Sequence, residues 1–291
     1  MNTQASADSA AGAPNRFVEV GGRRLAYRSI GSGKPIVLCT RFRGNLVDWD
    51  PAFLDALAAH GFQVITFDYS GLGLSTGERT YNPMLLAKDA TDLIESLALR
   101  DIVIGGWSLG GITAQIVAAT LPRRISHAVL IATSPPGELV KTAEQLFHDV
   151  ATKPVNDFDD SVVLFFEPRS DASREAARRS AERIAQRSAD RSVPVPGDWA
   201  AAALGNKPRN PVFPAPTILE AFKSTTMPIL HIGGDHDIVF PVENWYALNG
   251  QLPTLQLLTF PRAGHGPHHQ HPQASADHIG IFVRTTGETD A

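Results

Sequence analysis

Cysteine is almost absent from this chain of 291 residues, which contains only Cys39. A single thiol excludes an intramolecular disulfide framework and a cysteine-rich zinc site, and Cys39 is expected to be an inert core residue. Because no stretch of about 18 uninterrupted apolar residues occurs, the sequence predicts no transmembrane helix and no membrane association. Residues 1–15 lack the apolar run of a signal peptide, and their polar composition predicts a disordered segment. We therefore expect a cytoplasmic protein.

An excess of charge of one sign is also lacking. The formal net charge is −4 and the basic residues are scattered along the chain, which argues against nucleic acid as a partner. We expect a small molecule to be the substrate, whereas the sequence leaves open whether the chain forms a homo-oligomer.

Short apolar runs alternate with helical patterns along most of the chain. Residues 17–20 and 24–29 flank a Gly-Gly pair and predict a β-hairpin. Further strands are predicted at residues 36–39, 63–67, 102–104, 128–131, 229–232 and 255–260. Helices are predicted at residues 82–99, with Asn82 as N-cap, 109–121 and 242–252. This alternation predicts the α/β class with a mostly parallel central sheet flanked by helices.

The alternation is interrupted between residues 135 and 226. Residues 173–191 are rich in Arg, Glu and Ala, and pairs such as Glu175 and Arg179 favour an exposed helix. The interruption is too long for one crossover connection. We therefore predict a mainly helical cap at residues 135–226, inserted between two parts of a core at 16–134 and 227–291.

The sequence Gly-Trp-Ser-Leu-Gly at residues 106–110 follows a predicted strand and precedes a predicted helix. This is the context that a nucleophile elbow requires, because a sharp turn exposes the serine hydroxyl and glycines avoid side-chain clashes there. The pattern predicts Ser108 as a nucleophile.

A serine nucleophile needs a base, and ten histidines compete for this role. His265 lies in Gly-His-Gly after the last predicted strand, late in the chain, as the order serine, acid, histidine requires. His231 lies inside an apolar strand and is expected to be a core residue. Three more histidines follow His265 and are expected in a solvated loop or at a pocket rim, without a metal because no carboxylate or cysteine cluster accompanies them: His268, His269 and His271.

The acid is expected in the loop after the strand at residues 229–232. Asp235 and Asp237 both lie there. We prefer Asp237, which lies further along the loop, whereas Asp235 is suited to bracing the turn through backbone hydrogen bonds.

With these motifs in place, the chain resembles the α/β-hydrolase superfamily from residue 17 onward. The similarity rests on Ser108 in Gly-Trp-Ser-Leu-Gly-Gly, the Gly-Asp-His-Asp loop, Gly-His-Gly around His265, and Asp-Tyr-Ser-Gly-Leu-Gly-Leu-Ser at residues 68–75. Within the superfamily it is most similar to cofactor-free esterases, lactonases and haloperoxidase-like perhydrolases. The resemblance implies an α/β-hydrolase fold with a cap after the sixth strand.

One segment departs from the family pattern, because Thr40 and Arg41 stand where members usually carry His-Gly. By position, the resemblance implies that the backbone N–H groups of Phe42 and Leu109 form the oxyanion hole.

Two further side chains near the predicted site have open roles. Arg41 either points to solvent, pairs with Asp48 or Asp50, or binds an anionic group of the substrate. Trp107 either faces the substrate pocket or packs beneath the turn of Ser108.

These residues predict a serine hydrolase that cleaves a small carboxylic ester or lactone through an acyl-enzyme, with no cofactor and no metal. Perhydrolysis, amide hydrolysis and carbon–carbon bond hydrolysis are alternatives with the same triad. A different class of function, a small-ligand receptor that keeps the triad without turnover, also remains open.

Overall fold

The computed structural model describes residues 9–205 and 215–286. Within these ranges the strands are β1 Arg16–Val20, β2 Arg23–Ile30, β3 Lys34–Cys39, β4 Phe62–Phe67, β5 Ile102–Trp107, β6 Ile125–Ile131, β7 Ile229–Gly234 and β8 Leu255–Phe260. Each predicted strand lies within one of them.

All of these strands form one sheet, in the order β1-β2-β4-β3-β5-β6-β7-β8. Strand β2 is antiparallel to β1 and to β4, and every other neighbouring pair is parallel. The central strands are buried apolar runs because helices cover both faces of a parallel sheet. The predicted α/β class and mostly parallel sheet are confirmed.

Helices occupy the connections from β3 to β8 and also follow β8. In the described residues they are α1 Pro51–Ala59, α2 Pro83–Ser96, α3 Leu109–Thr120, α4 Gln145–Ala151, α5 Phe158–Phe165, α6 Asp171–Ala185, α7 Gly197–Leu204, α8 Ala215–Lys223, α9 Glu243–Tyr246, α10 Pro267–Gln270 and α11 Pro272–Thr286.

One predicted helix begins where it was expected, and another ends earlier than predicted. Helix α2 begins as expected, because the Asn82 side chain accepts a hydrogen bond from the N–H of Met84 at 3.0 Å. The helix predicted at residues 242–252 is wrong beyond Tyr246, where the chain continues in turns and Gly250 adopts a φ of 77°.

Helices α4 to α8 lie between β6 and β7, in the stretch predicted as a cap. Helix α8 packs against α3, and its Ile218 and Phe222 are buried in the core that contains the sheet. The predicted cap at residues 135–226 therefore includes a helix of the layer that flanks the sheet.

The predicted disorder of residues 1–15 is wrong for residues 9–15, and residues 1–8 lie outside the described ranges. Ala13 is 1% exposed, and the Arg187 guanidinium donates hydrogen bonds to the carbonyls of Ala11 and Ala13 at 3.1 and 2.9 Å. The Asp55 carboxylate also accepts the Ala10 N–H at 2.7 Å. These contacts with distant residues order a segment whose own composition favours disorder.

His231 is a core residue, as expected. Its ring is 1% exposed and stacks on Trp245, with a centroid separation of 4.6 Å. Burial lowers the pKa of His231 to about 3, so the folded chain holds a neutral ring at neutral pH.

This histidine is expected to make the protein acid-sensitive. Below a pH of about 6.5 the unfolded chain binds a proton at this ring that the folded chain excludes, so stability falls as the pH drops. We expect His231→Phe, which keeps a ring against Trp245, to reduce the loss of unfolding free energy between pH 7 and pH 5 by about 2 kcal/mol. Urea unfolding at both pH values measures the effect, and identical pH dependence in both proteins would contradict it.

No helix within residues 9–205 and 215–286 has both the length and the apolar character needed to cross a membrane.

Candidate active site

Ser108 lies between the end of β5 and the start of α3, with φ 61° and ψ −123°. Positive φ is strained for a serine and is maintained only because the surroundings fix it. A Cβ on Gly106 would lie 2.0 Å from the Gly110 carbonyl oxygen, and one on Gly110 would lie 2.0 Å from the Cys39 carbonyl oxygen. The local sequence therefore forms this turn because only glycine allows strand, helix and neighbouring loop to approach so closely.

His265 and Asp237 are brought together by the loops after β8 and β7. The Asp237 carboxylate lies 2.8 Å from Nδ1 of His265 and is buried. Its other oxygen accepts the backbone N–H groups of Val239 and Phe240 at 2.7 and 3.0 Å, which fixes its orientation. Asp235 instead accepts the Ala263 N–H at 3.3 Å, as expected for a residue that braces the turn.

Ser108 and His265 border the same cavity, although within the described part of the chain no hydrogen bond joins the Ser108 hydroxyl to His265. Such a bond is often long in ligand-free enzymes and tightens in the substrate complex. Ser108 is 5% exposed and His265 is 3% exposed, so a substrate would meet both groups largely shielded from water.

The backbone N–H groups of Phe42 and Leu109 are available to a ligand. Both residues border a cavity next to Ser108, and among residues 9–205 and 215–286 neither N–H group has a hydrogen-bond partner. Leu109 is the first residue of α3, whose N–H would otherwise remain unsatisfied. The side chain of Phe42 packs on Tyr81, with a ring-centroid separation of 4.7 Å.

Trp107 packs beneath the turn of Ser108. It is 2% exposed, and its indole N–H donates a hydrogen bond to the His265 carbonyl at 2.7 Å. Trp107 lines neither of the two cavities that border Ser108, which favours packing beneath the turn, one of the two alternatives that the sequence left open. The indole instead supports the loop that carries His265.

The expectation of a solvated position for His268 and His269 is wrong. Their exposures are 0% and 5%, and both rings pack on Trp107, with centroid separations of 4.6 and 4.8 Å. Burial lowers the pKa of both rings, to about 4 at His269, so both are neutral at pH 7. Sequence reasoning missed this because the rings are covered by residues distant in the chain. In the described ranges no group of three or more His, Cys, Asp or Glu side chains could hold a metal ion.

Arg41 pairs with Asp48, one of the alternatives that the sequence left open. One terminal nitrogen lies 3.2 Å from the Asp48 carboxylate, and the other donates to the Phe42 carbonyl at 2.8 Å. The guanidinium also lies over the rings of Phe165 and Trp107, at 4.7 and 5.2 Å from their centroids. Asp50, the other candidate partner, binds Arg183 instead.

Arg43, which the sequence did not single out, joins the Phe42 loop to the end of α4 and the segment after it. Its guanidinium donates to the carbonyls of Ala151, Lys153 and Pro154 at 3.0, 2.7 and 3.0 Å. On the histidine side, the Gly266 N–H donates to the Phe165 carbonyl at 2.7 Å. We call these the Arg43 clamp and the Gly266 bond. Together they fix the inserted helices to both sides of the site.

The Asp68 loop also connects the core with the insertion. The buried Asp68 carboxylate accepts the N–H groups of Leu46 and Leu74 at 2.7 and 2.8 Å and the Ser192 hydroxyl at 2.7 Å. Ser192 lines the cavity that contains Ser108 and His265. The motif at residues 68–75 therefore positions part of the cavity wall.

Two cavities meet at Ser108. The larger has a volume of about 710 Å³ and also borders His265, Arg41, Arg43 and Arg191. The smaller has a volume of about 420 Å³, and its walls include Leu109, Ile112, Leu204 and Phe240. A substrate with its reactive carbon at Ser108 can therefore extend in two directions.

Residues 34–272 of the chain match the family model described as alpha/beta hydrolase fold. A solved structure of an alpha/beta hydrolase fold protein from Chitinophaga pinensis is 28% identical, with a TM-score of 0.79, and the match covers 94% of this chain and 98% of that one.

Two curated relatives match most of the chain. BpoC of Mycobacterium tuberculosis, provisionally named a non-heme bromoperoxidase, is 28% identical over 258 residues, which are 86% of this chain and 94% of that protein. The pimeloyl-[acyl-carrier protein] methyl ester esterase of Vibrio campbellii is 28% identical over 251 residues, which are 84% of this chain and 92% of that protein.

Proposed function

Because the chain belongs to the α/β-hydrolase fold family, which confirms the expected fold, we propose that it is a serine hydrolase of small carboxylic esters or lactones. The observation that carries this proposal is the buried Asp237–His265 pair, at 2.8 Å, beside a cavity that also contains Ser108. The name of the Vibrio campbellii relative, an ester esterase, adds support.

In the proposed reaction, Nε2 of His265 accepts the Ser108 proton as the hydroxyl oxygen attacks the carbonyl carbon. Asp237 holds the imidazole with its proton on Nδ1 and stabilises the positive charge that develops there. The N–H groups of Phe42 and Leu109 bind the oxyanion. The carbon–oxygen bond then breaks, His265 protonates the leaving group, and water activated by His265 releases the acid.

Active-site labelling tests the nucleophile and turnover together. We expect a fluorophosphonate to modify one serine, with mass spectrometry placing the adduct on the peptide that contains Ser108, and we expect turnover of p-nitrophenyl esters or lactones that labelling abolishes. Labelling without turnover would leave the nucleophile in place and exclude these substrates. If neither labelling nor turnover occurs, this result contradicts the proposal and favours the ligand receptor.

Perhydrolysis is a second candidate, which the similarity to BpoC favours. Acetic acid would acylate Ser108 with loss of water. Hydrogen peroxide would then attack the acyl carbon in place of water and release peracetic acid, while the proton returns through His265 to the Ser108 oxygen. With acetate, peroxide and bromide, we expect acetate-dependent bromination of monochlorodimedone, because the peracid oxidises bromide. A rate no higher than that of Ser108→Ala would exclude this activity.

A further inference from the structure

The two cavities at Ser108 differ in charge. Among their described wall residues, the larger has the cationic Arg41, Arg43 and Arg191 against one carboxylate, Asp48. The described walls of the smaller cavity contain no Lys, Arg, Asp or Glu. The larger cavity therefore has a local excess of positive charge in a chain whose net charge is −4. A cationic wall attracts an anionic group, whereas the smaller cavity suits an apolar one.

The position of His265 indicates which part of the substrate enters each cavity. His265 borders the larger cavity and is absent from the described walls of the smaller one. The group that leaves must lie next to the imidazole, because His265 gives it a proton. The leaving alcohol therefore occupies the larger, cationic cavity, and the acyl chain occupies the smaller cavity beside Leu109.

Arg41 is the arginine best placed to bind an anion on the leaving group. Its guanidinium packs on Phe165 and Trp107, which both contact the His265 ring. Arg43 is held by three carbonyls, and Arg191 is an exposed residue. Among the described residues, Arg41 forms an ion pair with Asp48 alone, at 3.2 Å, and the two side chains are 15% and 27% exposed, so a second carboxylate can compete with Asp48.

On the basis of the proposed function, we propose that this site prefers esters of apolar acids with alcohols or phenols that carry a carboxylate. Arg41 binds that carboxylate and determines the specificity. Asp48 weakens this binding, because its carboxylate pairs with the same guanidinium and competes with the substrate carboxylate.

The butanoyl esters of 4-hydroxybenzoate and 4-hydroxybenzamide test this preference, since they match in size and differ in charge. Each kcat/KM is divided by the ester's non-enzymatic hydrolysis rate, which removes the difference in leaving-group reactivity. We expect the wild type to prefer the carboxylate ester about tenfold at low salt, and less at high salt. Arg41→Gln should abolish the preference. Asp48→Asn, whose amide oxygen can still accept the Asn45 N–H, should increase it.

Only the ratio between the two esters is decisive, because Arg41 also donates to the Phe42 carbonyl and its loss can slow both reactions. Equal normalised rates in the wild type, or a preference that survives Arg41→Gln, would overturn the inference and leave the esterase proposal intact. A preference that Asp48→Asn does not increase would overturn it too, and this variant serves if Arg41→Gln does not fold. Absence of both turnover and fluorophosphonate labelling would instead refute the proposed function.

Discussion

Asp237→Asn is expected to lower kcat by about 10⁴-fold. An asparagine oxygen can still accept the Val239 and Phe240 N–H groups, so the loop should keep its shape. The amide nitrogen would then face His265 Nδ1, force the wrong tautomer and remove the charge that stabilises the imidazolium. Steady-state kinetics on the best ester of the panel measure the loss.

Asp235→Asn is the matched control, since it makes the same chemical change two residues away. The Asp235 carboxylate contacts His236 and the Ala263 N–H, and no hydrogen bond between Asp235 and His265 occurs in the described residues. We expect kcat to stay within about threefold of the wild type. A larger loss in Asp235→Asn than in Asp237→Asn would reverse the assignment of the acid.

Arg183→Gln is expected to lower the unfolding free energy by about 2–4 kcal/mol, because it leaves a buried carboxylate without its cation. The Asp50 side chain is fully buried and accepts two hydrogen bonds from Arg183, at 2.8 and 2.6 Å. The Asp50 carboxylate also accepts the Ala52 N–H at 3.0 Å as the N-cap of α1. Because this bond would remain in Arg183→Gln, we expect a loss below the largest values measured for buried ion pairs. Urea unfolding measures the change.

Arg178→Gln provides the control on the same helix, α6. Arg178 and Glu175 form an exposed ion pair, with side-chain exposures of 55% and 47%, so its loss should change stability by less than about 0.5 kcal/mol. If both variants lost the same free energy, the Asp50 pair would not be what joins α6 to α1.

The strands and the positions of Ser108 and His265 could be predicted because local patterns specify them. The apolar run at residues 102–104 leads into glycines that only one kind of turn requires, and Gly-His-Gly follows the last strand. The choice of Asp237 over Asp235 also used only the distance along the loop. These features depend on neighbours in the chain, which the sequence shows directly.

The surroundings of these residues depend on contacts between distant segments. Nothing local indicates that His268 is covered by Trp107, or that Arg187 orders the chain near Ala13. The residues next to Arg43 do not indicate its role either, because its three acceptors lie more than a hundred residues away in the chain. Polar side chains in such places carry no pattern, since their burial depends on which partners the fold supplies.

The Arg43 clamp and the Gly266 bond have a consequence for building chimeras from relatives of this protein. If only the inserted helices were exchanged, the backbone carbonyls that Arg43 and the Gly266 N–H bind would come from the other parent and could lie at different positions. The unit that can be transplanted is therefore discontinuous in the chain: the insertion together with the loop around Arg43 and the turn around His265. Recombination within this family should preserve activity more often when its crossover points keep these three segments from one parent.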